Sequence, residues 1–378
     1  MINPQHFFNQ LIAEDIKFFS GVPDSLLKNF CSYITDHTNK EQHIIAANEG
    51  NALALGIGYH LATNKLPLIY MQNSGLGNIV NPLLSLADAD VYSIPMILII
   101  GWRGEPNVKD EPQHKKQGRI TLAMLDTMEV NYELLTPEVT NESATAIIQK
   151  GIRYAKETST PFALVVKKNT FANYNLQKEE TVKTLPLGRE EAIKLIINEL
   201  DKKDIVVSTT GVASRELFEY RTFLGQRHKK DFLTVGGMGH ASQIALGIAI
   251  SKPNQQVFCF DGDGATLMHT GALAINADIG CDNYKHILFN NGVHDSVGGQ
   301  PTVGFKIDFQ EIAKAVGYKL VLQANTETKI KDAINILKTF KGTAFLEIQV
   351  HKGFRKDLGR PTVTPRENKQ ALMRFLNE

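Results

Sequence analysis

Short apolar runs alternate with longer stretches in which apolar residues recur every three or four positions, from one end of the chain to the other. In the first half the runs predict strands near Phe18–Gly21, His43–Ala47, Leu68–Met71, Met96–Gly101 and Phe162–Lys167. Helical spacing between them is clearest over Gly50–Ala62, where Leu53, Ile57 and Leu61 share a face. The second half repeats the scheme. Its strands fall near Ile205–Ser208, Phe232–Val235, Val257–Phe260, Ile287–Phe289, Lys319–Leu322 and Ala344–Val350, with helical stretches such as Arg189–Leu200, His240–Ile250 and Asp332–Phe340 between them. Such alternation builds parallel sheets with helices on both faces. The expected fold is α/β, two tandem domains that are each a mostly parallel sheet covered on both sides.

The rhythm breaks between the halves. The polar stretch Asn169 to Gly188 carries Lys178-Glu179-Glu180 and ends in Pro186-Leu187-Gly188, the composition of a connector. A first domain over 1–170, a linker over 171–187 and a second domain over 188–378 are expected.

Composition narrows the partners. Lysine plus arginine number 41 against 40 acidic residues, so no charge excess calls for nucleic acid or a membrane surface. No apolar run approaches the roughly 20 residues that cross a bilayer, and Met1-Ile2-Asn3-Pro4-Gln5 lacks a charged-then-apolar signal pattern. Cys31, Cys259 and Cys281 are few and widely spaced, as reduced, packed thiols would be. A cytoplasmic protein is the expectation.

The densest chemistry lies in the second half. Val257–Phe260 runs into Asp261-Gly262-Asp263-Gly264, and the apolar run His286–Phe289 ends in Asn290-Asn291-Gly292. One crossover helix and one strand fit between the two clusters. Adjacent parallel strands would then bring a carboxylate and a carboxamide to one sheet edge. Hard oxygen ligands suit Mg2+, which takes one or two carboxylates together with phosphate oxygens. Asp263 and Asn291 are the expected metal ligands, and Gly264, Ala265 and Thr266 would turn backbone amides towards a diphosphate. Thr209-Thr210-Gly211, after another strand, offers a weaker phosphate contact. Gly237-Met238-Gly239 admits a rival reading as part of a dinucleotide fingerprint, but Ser242 stands where the third glycine belongs. Taken alone, Glu49 reads as a helix-start carboxylate, and Asp24 or Ser25 as a helix cap.

The Gly-Asp-Gly cluster, the spacer and the Asn-Asn pair resemble the thiamine-diphosphate enzymes. That resemblance implies several roles. Glu49 would bond a ring nitrogen of the cofactor's aminopyrimidine, and Met238 would wedge between the two cofactor rings. The Val293 carbonyl would complete the protein's share of the metal ligands. Gly237 and Ala265 would border the cofactor. The decarboxylases of this family carry Gly-Val-Pro where this chain has Gly21-Val22-Pro23, followed by polar residues facing the reacting carbon. Many have aspartate where Ser25 stands here, so Asp24 and Ser25 share the candidacy.

Further segments sharpen the likeness, among them Gln72-Asn73-Ser74-Gly75-Leu76-Gly77-Asn78, Gly101-Trp102-Arg103-Gly104, Glu111-Pro112-Gln113-His114 and Gly298-Gly299-Gln300-Pro301-Thr302. Over nearly its whole length the chain is similar to the phosphonopyruvate decarboxylases, with sulfopyruvate decarboxylases as near relatives. The resemblance implies thiamine-diphosphate- and Mg2+-dependent decarboxylation of 3-phosphonopyruvate to phosphonoacetaldehyde and CO2. Gln72, Asn73 and Thr210 join the cofactor contacts. His114, Asp24 and Ser25 become candidates for proton transfer, with His294 a weaker one. Arg103, Lys115 and Lys116 are candidates for the phosphonate, because arginine forks onto tetrahedral oxyanions and lysine acts as a point charge. A homodimer or larger homo-oligomer follows, with active sites between subunits. A sulfonate-bearing substrate and a nucleotide-dependent oxidoreductase are the alternatives.

Overall fold

Side chains along a strand point alternately to the two faces of its sheet, and here both faces are apolar. In the strand Ile97–Gly101, Ile97 and Ile99 enter one buried cluster while Leu98 and Ile100 enter another. In Val257–Gly262, Phe258 and Phe260 face one core while Val257 and Cys259 face a second. Each sheet therefore has to be covered on both sides, and helices cover it. The computed structural model describes residues 1–178 and 184–378, and the chain divides into two compact units, Met1–Glu180 and Thr181–Glu378.

The first unit holds strands β1 (Phe19–Gly21), β2 (His43–Ile45), β3 (Leu68–Gln72), β4 (Ile97–Gly101), β5 (Asn131–Leu135) and β6 (Phe162–Val166) in the order β2-β1-β3-β4-β6-β5. Every pairing is parallel. The second unit holds β7 (Ile205–Ser208), β8 (Asp231–Leu233), β9 (Val257–Gly262), β10 (Tyr284–Asn290), a small antiparallel hairpin of β11 (Val293–His294) and β12 (Gln300–Pro301), then β13 (Leu320–Ala324) and β14 (Ala344–Gln349). Its sheet order is β13-β14-β10-β9-β7-β8, again all parallel. Numbered from its own first strand, without the hairpin and from the β8 edge, this order is the same as that of the first sheet. In both units the first strand lies between the second and the third, so connections leave it in opposite directions. Parallel sheets bind ligands beyond the carboxyl ends of the strands at such a switch point.

Two local expectations shift. Strand β5 leaves no apolar run in the sequence because it is an edge strand paired only with β6. Of Asn131-Tyr132-Glu133-Leu134-Leu135 only Leu135 is buried, which leaves little apolar signal. The helix Glu327–Thr339 starts earlier than Asp332 because the Thr326 side chain accepts from the Lys329 N–H and caps it there. Within the expected linker, residues 179–183, including Glu179 and Glu180, lie outside the described residues. Before them, Phe171 packs on Phe7 and Phe30, and Asp36 accepts from the Gln177 and Lys178 N–H groups at 2.8 and 2.7 Å. After them, the Leu187 carbonyl accepts from the His351 N–H at 2.9 Å. Among the described residues no helix is long and apolar enough to cross a membrane, and the three cysteines are free thiols.

Candidate active site

In the second unit the switch point falls between β7 and β9, and a cleft of about 80 Å3 opens there. Thr209, Thr210, Met238, Asp263, Gly264, Ala265, Asn291 and Val293 all line it. Gly237 is exposed beside Met238 and does not line the cleft. Asp263 follows β9 directly and is 3% exposed. Burial pushes its carboxyl pKa up to about 6, against the Thr302 hydroxyl and the local amides. Thr302 donates to Asp263 Oδ2, and Gly304 leaves that oxygen room, since a Cβ at position 304 would lie 2.6 Å from it.

The structure separates the twin residues of each motif. Asp261 points into the core, where its carboxylate lies 3.4 Å from His286 Nε2, and the other ring nitrogen of that histidine meets the Tyr318 hydroxyl at 3.1 Å. Asn290 is fully buried and donates to the Gly304 carbonyl and to Glu347, both at 2.7 Å. Asp263 and Asn291 line the cleft, Asn290 does not, and Asp261 borders it while its carboxylate stays beside His286. Asn291 Nδ2 donates to Asp295 at 2.7 Å, and its Oδ1 accepts from the Val293 N–H at 3.1 Å. The ring of His294, also in the lining, is lowered to about 4 by removal from water.

The first unit gathers a second set of polar groups beyond its own strand ends. Asn48 caps the helix Glu49–Thr63 by accepting from the Asn51 N–H at 2.9 Å, so the Glu49 carboxylate is not needed as a cap. Glu49 is buried and accepts from Asn78 Nδ2 at 2.6 Å. Gly75 permits this position, because a Cβ there would lie 2.6 Å from Glu49 Oε1. Asp24, fully buried after β1, accepts from Gln72 Nε2 at 2.6 Å and from the Leu26 N–H at 2.9 Å. Burial raises its pKa, with those bonds and the Arg103 charge opposing. Arg103 follows β4. Its Nη1 donates to Ser25 Oγ at 2.8 Å, while Nε and Nη2 fork onto Asp110 at 2.8 and 2.5 Å.

Asp24, Ser25, Gln72 and Arg103 are thus neighbours, as expected of groups at the ends of β1, β3 and β4. Asn73 adjoins Arg103 but has its amide engaged with that residue's backbone, and Lys115 and Lys116 are turned to solvent. The Asn73 amide donates to the Arg103 carbonyl and to Thr121 Oγ1, both at 2.8 Å, and accepts from the Arg103 N–H at 3.1 Å. It clamps the Arg103 backbone, which gives a cofactor contact through that amide no support. Lys115 and Lys116 are exposed on the helix Pro112–Thr127, whereas His114 on the same helix is buried. A shared loop brought the three cations together in the sequence, but the helix turns the lysines to solvent.

Comparison with known proteins bears on both units. Residues 4–129 match the family described as "Thiamine pyrophosphate enzyme, N-terminal TPP binding domain", and residues 209–348 match the corresponding C-terminal TPP binding domain. A phosphonopyruvate decarboxylase of Streptomyces viridochromogenes is 33% identical, with 94% of this chain and 90% of that protein covered. This chain belongs to the thiamine pyrophosphate enzymes. The phosphonopyruvate decarboxylase of Streptomyces hygroscopicus is 31% identical over 100% of this chain and 95% of its own length. A sulfopyruvate decarboxylase of Methanosarcina acetivorans is 24% identical over 99% of this chain and 97% of its own.

For a thiamine pyrophosphate enzyme the second unit's donor set is apt. A carboxylate, a carboxamide and a backbone carbonyl are hard oxygen donors, and a cation between them would offset the desolvation of Asp263. Thr302, Asn78, Asp110 and Asp295 are the supporting residues that sequence reasoning left without a role. Each acts on a group distant along the chain or through a loop, so no local periodicity marks it.

The Arg103–Asp110 fork gives a stability test. Burial works against the Asp110 carboxylate, yet hydrogen bonds from Arg103 and from the Glu111 and Gly104 amides hold it well below the ordinary carboxylate range. A carboxyl with a depressed folded pKa contributes stability that is present above its unfolded value, about 4, and is lost as pH falls below it. Asp110→Asn should therefore cost about 1–3 kcal/mol at pH 7. Denaturant titrations at pH 7 and pH 3 check this: the gap between variant and wild type should narrow at the lower pH, and an equal gap at both would be contrary.

Proposed function

We propose that this protein is a carboxy-lyase that uses thiamine diphosphate and Mg2+ to decarboxylate 3-phosphonopyruvate to phosphonoacetaldehyde and CO2. The observation that carries the substrate assignment is similarity along essentially the whole chain to two phosphonopyruvate decarboxylases, at 33% and 31% identity. The sulfopyruvate relative is more distant, at 24%. Against the dinucleotide alternative stand the two thiamine pyrophosphate domain matches and the Asp263 carboxylate and Asn291 carboxamide lining the cleft beside Met238.

Bound thiamine diphosphate supplies the electron sink that makes loss of CO2 possible. The protein's share is binding, orientation and proton handling. Asp263, Asn291 and the Val293 carbonyl would hold the cation, and the backbone around Gly264 and Ala265, with Thr210, would border the diphosphate. Met238 would support the cofactor between its rings. Glu49 would serve as the proton relay: Asn78 engages Oε2, which leaves Oε1 to carry the proton. Asp24, with its raised pKa, is suited to hold a proton at a reacting centre, and Gln72 and Leu26 fix its carboxyl. Ser25 and His114 remain candidates for proton transfer.

Arg103 is the cation best placed beside Asp24 and Ser25 for a phosphonate dianion. Glu49 and Asp263 would come from different subunits, so a homodimer or larger closed assembly is part of the reading. The chemistry requires no membrane or nucleic-acid partner.

Glu49→Gln should fold and bind cofactor, yet turn over at least about 100-fold more slowly. Near-normal turnover in a steady-state assay would count against the relay. The substrate assignment is tested with purified protein, thiamine diphosphate and Mg2+, offered phosphonopyruvate, sulfopyruvate and pyruvate separately while aldehyde is followed. Phosphonopyruvate should give the highest kcat/KM. Arg103→Ala should raise KM for phosphonopyruvate at least about tenfold, and far more than for pyruvate. Equal effects on both substrates would make Arg103 a structural residue.

A further inference from the structure

Asn291 can present either end of its carboxamide to the cleft, and only the oxygen can bind a cation. Something must select the orientation. Asp295, in the short turn after β11, makes that selection. Its Oδ2 accepts from Asn291 Nδ2 at 2.7 Å and from Arg189 Nη1 at 3.2 Å, and its Oδ1 accepts from the Gly353 N–H at 3.0 Å. All three partners are donors, so the position needs an acceptor-only group, and a carboxylate is one. Facing that carboxylate, which itself borders the cleft, Asn291 must give its nitrogen to Asp295 and keep its oxygen as the end available to a cation. Its oxygen is then oriented by the Val293 N–H at 3.1 Å.

Asp295 is in turn held by a buried guanidinium. Arg189, the first residue of the helix Arg189–Glu199, forks onto Glu216 at 2.8 and 3.3 Å while reaching Asp295. Glu216 lies on the helix Val212–Phe223, which follows the Thr209-Thr210-Gly211 turn after β7. The side chains of Arg189, Glu216 and Asp295 are 10%, 1% and 9% exposed, so water does little to loosen the chain of bonds. The network thus joins the helix that follows the Thr209-Thr210-Gly211 turn to Asn291 after β10, and Thr210 and Asn291 both line the cleft.

We propose that Asp295, braced by Arg189 and Glu216, is a positioning residue that fixes the Asn291 oxygen towards a divalent cation. This rests on the assignment of Asp263 and Asn291 as metal ligands. Groups that orient a metal ligand from behind typically change metal affinity 10- to 100-fold when altered.

The test is a double-mutant cycle read as Mn2+ affinity in the presence of thiamine diphosphate, measured by equilibrium dialysis or by the free-Mn2+ electron paramagnetic resonance signal. Asp295→Asn preserves shape but forces an N–H towards one of three donors. It should weaken Mn2+ binding about 10- to 100-fold. In an Asn291→Ala background the same change should have less than about a threefold effect, because Asp295 acts through Asn291. A general structural defect would lower affinity equally in both backgrounds and would overturn the proposal, as would unchanged affinity in the single variant. Should Asp295→Asn fail to fold, Arg189→Lys keeps the charge but cannot fork. It should weaken Mn2+ binding a few-fold in the native background and not in Asn291→Ala, and an equal effect in both would again refute the idea. Absence of cofactor-dependent Mn2+ binding by the unaltered protein would sink the metal-site reading itself, a result distinct from the other two.

Discussion

A carboxylate removed from water is costly unless positive charge or several donors meet it, and Asp263 is such a group. It is held at the end of a central strand, nearly without solvent, with a hydroxyl and nearby amides for partners and the Arg189 charge acting only through space. A divalent cation there would resolve this imbalance, and a diphosphate would complete the cation's shell. The placement of Asn291, Thr302, Gly304 and the β7 turn becomes intelligible once Asp263 is taken as the fixed point. Each of them contacts that carboxylate, leaves it room, or lines the same cleft.

The fold repeats one device twice. Two sheets of identical strand order each have a switch point beside their first strand, and polar residues collect beyond the strand ends there. In the second unit the collection is an oxygen donor set suited to a cation. In the first unit it comprises a buried glutamate, a buried aspartate with a raised pKa, and an arginine whose fork is shared with Asp110. Since the central strands are apolar on both faces, neither sheet can tilt or slip without exposing a core, and the strand ends inherit that rigidity. On the proposed reading, proton handling and anion binding would fall to the first unit and cofactor anchoring to the second.

Much of this was readable in the sequence. Central strands are continuous apolar runs, so β4, β6, β9 and β10 stand out, whereas β5, half exposed at an edge, carries no such signal. Asp263 and Asn291 could be named because motif and spacing fix them relative to neighbouring strands. Asn290 turns into the core while Asn291 faces the cleft, as the alternation of side chains along a strand dictates, whereas Asp261, still within β9, is kept beside His286 and Asp263 already belongs to the helix that follows. The grouping of Arg103 with Lys115 and Lys116 failed because proximity along a loop says nothing about which way the following helix turns its side chains. Asn73, expected as a cofactor contact, also clamps the Arg103 backbone, a bond that the sequence does not announce. Asp295, Arg189 and Glu216 were invisible because their bonds join segments far apart in the chain, and only folding brings them together.

The central claim is that Asp263 and Asn291 together hold a divalent ion against the diphosphate of thiamine. Crystals grown with thiamine diphosphate and Mn2+, examined by anomalous diffraction, test it most directly. The account predicts a single strong peak within coordination distance of an Asp263 carboxylate oxygen, Asn291 Oδ1 and the Val293 carbonyl, about 2.1 Å for the corresponding Mg2+ complex. A peak bound elsewhere, or cofactor seated with no metal between those side chains, would contradict it.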